Sequence, residues 1–443
     1  MILQRASKTL STLGRRLRSL QAKHINCAVE LSELLGRRPI NLDTPELQRF
    51  LAGKVVLVTG AGGSIGSEIC RQTMKFCPAR IILIDRAENA LFEIDRELRE
   101  RWVGADITPV VADICDAKRI DQVFGSMAPQ VVFHCAAHKH VPMMEANPGE
   151  AVKNNVFGTK IVADAALEHG AAAFVMVSTD KAVNPTSVMG ATKRVAELYV
   201  QSLNNSRQQA VGSGQQEMKP PAASRQPPAT RFLAVRFGNV IGSSGSVVPI
   251  FRKQIEAGGP VTITHPDMQR YFMTIPEASQ LVMQAGAIGQ GGEIFILDMG
   301  QPVKILDLAT EMVRRAGLVP DRDIEIRVTG IRPGEKLYEE LACDNEQTRP
   351  TSHKKIHVWQ LPQATTQQAR RMLDLLGAVI DADRDTVVRT LAWCVPEYRP
   401  VAEPVALPQT PGNNEPARTV PADSLSDQAT RLRELVRGST RAA

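Results

Sequence analysis

No stretch of the 443 residues approaches the roughly 18 consecutive apolar side chains that a membrane-spanning helix needs, so a bilayer-spanning protein is not expected. The seven cysteines (Cys27, Cys70, Cys77, Cys115, Cys135, Cys343 and Cys394) are odd in number and include no CxxC pair. Several fall in apolar helix or strand patterns, which points to free core thiols in a reducing compartment rather than a disulfide framework. His138 and His140 have no acidic or thiol partner at ligand spacing, so no metal is expected. No matched pair of carboxylates suggests a two-carboxylate hydrolase. Acidic residues are absent from residues 1–24, which hold six cations: Arg5, Lys8, Arg15, Arg16, Arg18 and Lys23. They equal the formal net charge of +6, so the rest of the chain is close to neutral. A nucleic-acid surface would need a basic stripe in the folded body, and none is expected.

Between those cations, Leu3, Leu10, Leu13, Leu17 and Leu20 have the spacing of an amphipathic helix that could lie on anionic lipid. The alternative is a frayed or partner-bound basic tail. The segment lacks the compact apolar stretch of a secretory signal. A cytoplasmic location follows, with possible peripheral contact at the inner membrane surface through residues 1–24.

A chain of this length exceeds the roughly 250–300 residues at which single cores stop growing, so two lobes with tails are expected. Residues 1–50 read as a basic helical extension and linker. Short apolar runs at 54–59, 81–85, 108–112, 131–134, 174–178 and 232–237 alternate with helical spacing at 65–76, 161–169 and 189–203. Non-alternating strands between helices imply a mostly parallel sheet covered on both faces, hence a Rossmann-like, doubly wound α/β fold. The nucleotide-binding domain is placed at 51–240. Within it, residues 204–230 are rich in Gln, Ser, Pro and Gly and are expected to form a flexible surface insert. Residues 241–397 are expected mainly to form a smaller substrate-binding lobe, opening with the loop Gly242–Ser246. A Pro-rich linker and terminal helix follow over 398–443.

The first strand runs into Thr59-Gly-Ala-Gly-Gly-Ser-Ile-Gly66, with Gly60, Gly63 and Gly66 at GxxGxxG spacing before a helix. Such a turn brings backbone N–H groups and a helix N-terminus to a pyrophosphate, so Ser64 and Ile65 join the expected contacts. Asp85 ends the second strand, where its carboxylate can accept both hydroxyls of an adenosine ribose; Arg86 beside it suits a 2′-phosphate instead. The cofactor is therefore NAD or NADP, with NAD favoured. Asp113, with Ile114 beside it, is placed to meet adenine, although a helix-cap role is equally open for Asp113. The small Ala136 and Ala137 let a dinucleotide cross the sheet edge.

The resemblance to a known family rests on TGAGGSIGSE, HCAAHKHVPMME (134–145), STDKAVNPTSVMGATK (178–193), VRFGNVIGSSGSVVPIF and IRPGEKLYEEL (331–341). Together they resemble the polysaccharide-biosynthesis subfamily of UDP-N-acetylglucosamine 4,6-dehydratases, in the extended short-chain dehydrogenase/reductase superfamily, over about 36–397. Residues 34–42 resemble the linker that joins a membrane-spanning region to the catalytic part in larger relatives, so the chain reads as the soluble catalytic half.

The resemblance implies oxidation of a UDP-sugar at C4, proton removal at C5, loss of the C6 hydroxyl as water, and hydride return to C6. It implies Asp180 as the acid at the C6 oxygen and Lys181 as the base at C5. Lys193 is to hold the nicotinamide ribose. The superfamily's YxxxK pattern appears here as Met189-Gly-Ala-Thr-Lys193, and a thioether cannot take the C4 hydroxyl proton, so Thr179 or an ordered water must relay it. Lys139 and Asn155 are expected at the cofactor, with a buried structural amide equally open for Asn155. Lys139, Asn184, Asn239, Arg270, Arg332 and Glu335 are expected at the substrate. A homo-oligomer is also implied. The competing readings are a UDP-sugar 4-epimerase, which needs no C5 base, and a non-catalytic NAD-binding assembly protein.

Overall fold

The computed structural model describes residues 44–212, 230–341, 348–359 and 364–400. The basic extension before residue 44, residues 213–229 of the expected insert, and the expected terminal helix lie outside the described residues.

Strands β1 (Val55–Thr59), β2 (Arg80–Asp85), β3 (Ile107–Val111), β4 (Val131–His134), β5 (Ala173–Val177) and β6 (Arg231–Arg236) form where the apolar runs predict them. With β11 (Ile294–Leu297), β14 (Thr348–Pro350) and β15 (Ile356–Trp359) they build a nine-stranded sheet in the order β14-β15-β11-β6-β5-β4-β1-β2-β3. From β3 to β11 every pairing is parallel; β15 and β14 close that edge antiparallel.

Successive side chains of the central strands feed different cores: Leu57, Ile82 and Ile84 enter one cluster, while Val56, Val58, Ile81 and Leu83 enter the other. This two-sided burial is why the strands read as continuous apolar runs. Helices α1 (Pro45–Leu51), α2 (Ser64–Met74) and α3 (Glu88–Arg101) contribute to the second cluster. Helices α4 (Ala117–Met127), α5 (Thr159–Glu168) and α6 (Val188–Gly212) contribute to the first.

Three segments depart from the sequence expectations. Helix α1 was assigned to the extension, yet Leu47 and Leu51 are fully buried in the domain core. Helix α6 continues to Gly212, into the stretch expected to be an irregular insert; Arg207, Gln208, Gln209 and Ala210 are good helix formers that outweigh the polar composition. At the other end Tyr398, the first residue of the expected linker, is buried against the core.

The stretch 241–397 is shared between two bodies. β11, β15, α8 (Ile275–Ile288), α10 (Thr366–Ala378) and α11 (Arg384–Cys394) belong to the large sheet and its layers. Three two-stranded sheets pair β7 (Asn239–Ile241) with β10 (Phe272–Thr274), β8 (Val261–Ile263) with β13 (Ile326–Val328), and β9 (Gln269–Arg270) with β12 (Val303–Lys304). With α7 (Val247–Glu256) and α9 (Ile305–Arg315) they enclose a third core around Phe251, Ile263 and Leu308.

His134, at the end of β4, is fully buried between Thr59 and Thr159, with each ring nitrogen 2.9 Å from a hydroxyl. Burial, reinforced by the Lys193 charge, pushes its pKa down from 6.5 to about 3. The unfolded chain therefore binds a proton at pH values where the folded protein does not. The stability from neutral His134 is complete above about 6.5 and is lost as pH falls toward about 3. Denaturant midpoints measured above and within that window should fall with pH, and less steeply in His134→Asn; parallel curves would contradict this.

Candidate active site

The C-terminal ends of β1, β2, β4 and β5 converge on one edge of the sheet, the position at which open α/β sheets receive ligands. Gly60 leaves β1 with φ +65°, and a Cβ there would lie 2.8 Å from the backbone nitrogen of Ala136. A Cβ on Gly66 would lie 2.1 Å from the carbonyl oxygen of Gly60. The loop therefore packs tightly against β4 and the first turn of α2. Gly63 is the N-cap of α2 and supplies no side-chain cap. Ser64 Oγ accepts the N–H of Ser244, and Lys139 Nζ donates to the Ser244 carbonyl at 2.9 Å, so the Gly242–Ser246 loop is tied down beside that helix N-terminus. Burial lowers the Lys139 pKa. Ile65 is half-buried.

Asp85 accepts backbone N–H groups from Gly62 and Ala87, both at 2.9 Å, and so fastens the glycine loop to β2. Arg86 lies 3.6 Å from the Asp113 carboxylate and 3.2 Å from His138 Nε2. Asp113 also accepts the N–H of Cys115; these partners outweigh its partial desolvation and hold its carboxyl below the usual range. The helix cap that Asp113 might have supplied comes instead from Asp116, at the start of α4. Ile114 is buried under Gly158, Ala136 is half-buried and Ala137 is exposed.

Asn155 lies on a π-helical turn, Val152–Gly158, and is fully buried. Its oxygen accepts from the His138 N–H and from Asn154, while its amide donates to the His138 carbonyl and to Thr192. All its hydrogen-bonding capacity is spent inside the protein, so it holds the 138 loop to α6 rather than reaching a cofactor.

After β5 the chain makes a 3₁₀ turn, Asp180–Ala182, capped by Thr179. Thr179 Oγ1 donates to Asp180 Oδ1 at 2.9 Å, and Lys181 Nζ donates to the same oxygen at 3.0 Å. Lys181 also donates to Asn239 Oδ1 at 3.2 Å and lies 3.6 Å from Glu339 Oε1. Burial pulls the Lys181 pKa down, but Asp180 and Glu339 outweigh both burial and the repulsion of Arg270, leaving the amine above its ordinary value. Asp180 is buried, and its Oδ2 has no hydrogen-bond partner among the described residues.

On α6, Met189 and Lys193 are buried. Lys193 makes no hydrogen bond or ion pair with the described residues, and burial lowers its pKa to about 8. A Cβ on Gly190 would lie 2.1 Å from the Lys181 carbonyl oxygen, so only glycine lets the helix approach the Asp180–Ala182 turn this closely.

The expected substrate contacts are distributed unevenly. Asn239 reaches Lys181, whereas Asn184 donates to Glu340 at 2.7 Å. The Arg270 fork is directed at the backbone carbonyls of Gln269, Lys336 and Leu337, and its Nε lies 3.8 Å from Glu339. Those bonds clamp the 331–341 segment and use donors of a side chain that was expected at the substrate. Arg332 and Glu335 pair with each other. Glu339 and Gly190 were missed by the sequence reading. Glu339 lies inside the IRPGEKLYEEL motif, beside the exposed Glu340, and the adjacent pair gives no sign of which carboxylate turns inward. Among the described residues no cluster of three metal-ligating side chains occurs, and no helix is long and apolar enough to cross a membrane.

A dinucleotide fits these residues. The glycine loop leaves no room for side chains where a backbone must approach, the α2 N-terminus lacks a side-chain cap, and Lys193 presents a buried ammonium with no acceptor of its own. Sheet order, glycine loop and the Thr-Asp-Lys turn facing Met-x-x-x-Lys define a Rossmann-type protein related to the nucleotide-sugar dehydratases and epimerases of the short-chain dehydrogenase/reductase superfamily. The chain belongs to the polysaccharide biosynthesis protein family, whose model matches residues 56–361.

The capsular polysaccharide biosynthesis protein CapD of Staphylococcus aureus is 53% identical over 330 residues, covering 74% of this chain and 52% of that one. This chain thus spans about half the length of such curated relatives. An inverting UDP-N-acetylglucosamine 4,6-dehydratase of Campylobacter jejuni is 33% identical, covering 66% of this chain and 79% of that protein. A UDP-glucose 4-epimerase of Rickettsia massiliae is 31% identical, covering 67% and 80%. Among solved structures, Pen from Bacillus thuringiensis superposes with a TM-score of 0.61 at 33% identity, covering 71% of this chain and 92% of that one.

Proposed function

We propose that this chain catalyses the nicotinamide-dependent 4,6-dehydration of a UDP-N-acetylhexosamine, UDP-N-acetylglucosamine being the substrate of choice, for surface polysaccharide or glycan synthesis. The observation that carries the reading is the buried Asp180–Lys181 contact of 3.0 Å at the end of β5. An epimerase has no use for a second acid–base pair there, whereas a dehydratase must remove a proton from C5 and protonate the C6 oxygen.

A bound nicotinamide dinucleotide would supply reversible hydride uptake from the sugar. The protein supplies everything else. Lys193 offers its ammonium to a ribose hydroxyl and adds positive potential beside the C4 oxygen. Because Met189 cannot accept a proton, the C4 hydroxyl proton leaves to solvent through an ordered water, while Thr179 keeps its own hydrogen bond to Asp180 Oδ1. Passing one Lys181 proton to Asp180 Oδ1 turns the ion pair into a neutral amine and a carboxylic acid without changing the net charge. Those are the forms required to deprotonate C5, which the C4 ketone acidifies by enolate delocalisation, and to expel the C6 hydroxyl as water. NAD is favoured over NADP because Arg86 would have to leave Asp113 and His138 to meet a 2′-phosphate.

Incubation of the purified chain with UDP-N-acetylglucosamine and NAD⁺, followed by mass spectrometry, should reveal a product lighter by one water. An isobaric product separable by chromatography would instead support the epimerase. Dinucleotide affinity should also weaken as pH rises through about 8, where Lys193 loses its proton, and should be pH-independent in Lys193→Gln. Equal affinity of the unaltered protein on both sides of that pH would contradict the role given to Lys193.

A further inference from the structure

Lys181 is met by charged or polar groups from several parts of the fold. Asp180 comes from its own turn, Asn239 from β7, Glu339 from the 331–341 segment, and Arg270 from β9 lies close enough to repel it. Glu339 is the least expected of these. Its side chain is 4% exposed, Oε1 lies 3.6 Å from Lys181 Nζ and 3.8 Å from Arg270 Nε, and Oε2 has no hydrogen-bond partner among the described residues.

A carboxylate is not buried in this way without compensation, and the two cations provide it. The segment that carries it is fastened at independent points to the residues that follow the turn and to β9. Lys336 Nζ donates to the Val183 carbonyl at 3.0 Å, Thr186 Oγ1 donates to the Gly334 carbonyl at 3.2 Å, and Arg270 Nη2 donates to the Lys336 carbonyl at 2.8 Å. Glu339 is thus delivered to Lys181 by architecture rather than by a flexible surface side chain.

We propose that Glu339 is a positioning residue for the dehydration: a second carboxylate that, with Asp180, fixes the Lys181 head group and sets how readily it gives up and regains its proton. The inference rests on the dehydratase reading. In the step at C5, Lys181 begins neutral, having passed a proton to Asp180, and ends as an ammonium. A carboxylate 3.6 Å away favours that end point, while Asp180 is discharging its proton to the leaving oxygen. Asp180 therefore serves twice, as proton store and proton donor, and Glu339 keeps one negative charge beside Lys181 throughout.

The test is competitive acylation of the full chain with acetic anhydride, read lysine by lysine after digestion, in the unaltered protein, Glu339→Gln and Glu339→Asp. Only the neutral amine reacts. Removing the charge should lower the Lys181 pKa, so at a fixed pH well below its midpoint Lys181 acylation should rise about tenfold in Glu339→Gln. Lys160, which pairs with Asp164 on α5, should not change and serves as the internal reference. Glu339→Asp should return Lys181 most of the way to its original reactivity, which a merely structural loss would not do.

In turnover assays the alkaline limb of the kcat profile, where the Asp180–Lys181 pair loses its shared proton, should move to lower pH in Glu339→Gln by a similar amount. Unchanged Lys181 reactivity in Glu339→Gln, or equal reactivity in the Gln and Asp variants, would overturn the role of Glu339. Because acylation needs no turnover, it remains decisive in its own right; an unaltered protein that forms no dehydrated sugar would overturn the dehydratase reading instead.

Discussion

Lys181→Ala is expected to slow water loss by roughly 10²- to 10⁴-fold, the range that a positioned general base contributes, while leaving dinucleotide affinity unchanged. The separation of effects follows from geometry. The Lys181 partners are Asp180, Asn239 and Glu339, whereas the glycine loop, Asp85 and Lys193 share none of them. Quenched-flow product analysis alongside cofactor titration would check both halves, with a thermal melt to show that the fold persists. Unchanged turnover would remove Lys181 from the chemistry, and a parallel loss of cofactor binding would mean that the turn is structural.

The second large effect is on stability. Glu197, fully buried on α6, receives two bonds from Arg236, one from Arg194 and one from Ser178 Oγ. Arg236 in turn stacks 3.9 Å over the Trp359 ring, so this charge cluster joins α6, β5, β6 and β15. Glu197→Ala strips the nearly solvent-free Arg236 guanidinium of this carboxylate and leaves Arg194 with Glu397 alone, and should cost roughly 3–5 kcal/mol. The double substitution Glu197→Met, Arg236→Met should recover a large part of that loss, because an apolar pair needs no compensation. Denaturant midpoints for the two variants test this, and a loss below about 1 kcal/mol for Glu197→Ala would contradict it. Ser178 precedes the Thr179-capped turn Asp180–Ala182, so the same substitution should also loosen Thr179 and Asp180.

The parts of the fold that could be read from the sequence are those in which one physical rule dominates. β1 to β6 lie within about one residue of their apolar runs, because burial on both sheet faces forces continuous Val, Ile, Leu and Phe. The glycine loop was legible because only glycine tolerates its backbone contacts. Tertiary decisions were not legible. Nothing local says that Glu339 turns inward and Glu340 outward; the clamp of Arg270 on the Lys336 and Leu337 carbonyls decides it. Asn155 carries a residue type suited to a cofactor contact, yet the π-helical turn aims it at the His138 backbone. Arg270 likewise had the chemistry of a diphosphate ligand and spends it on the protein's own backbone.

Hydrogen movement within the sugar gives the most direct test of the central claim. UDP-N-acetylglucosamine carrying deuterium at C4 should yield a dehydrated product with that deuterium in its C6 methyl group. Deuterium found again at C4, in a product that has kept all its oxygen, would contradict dehydration at Asp180 and Lys181 and leave C4 epimerisation as the activity.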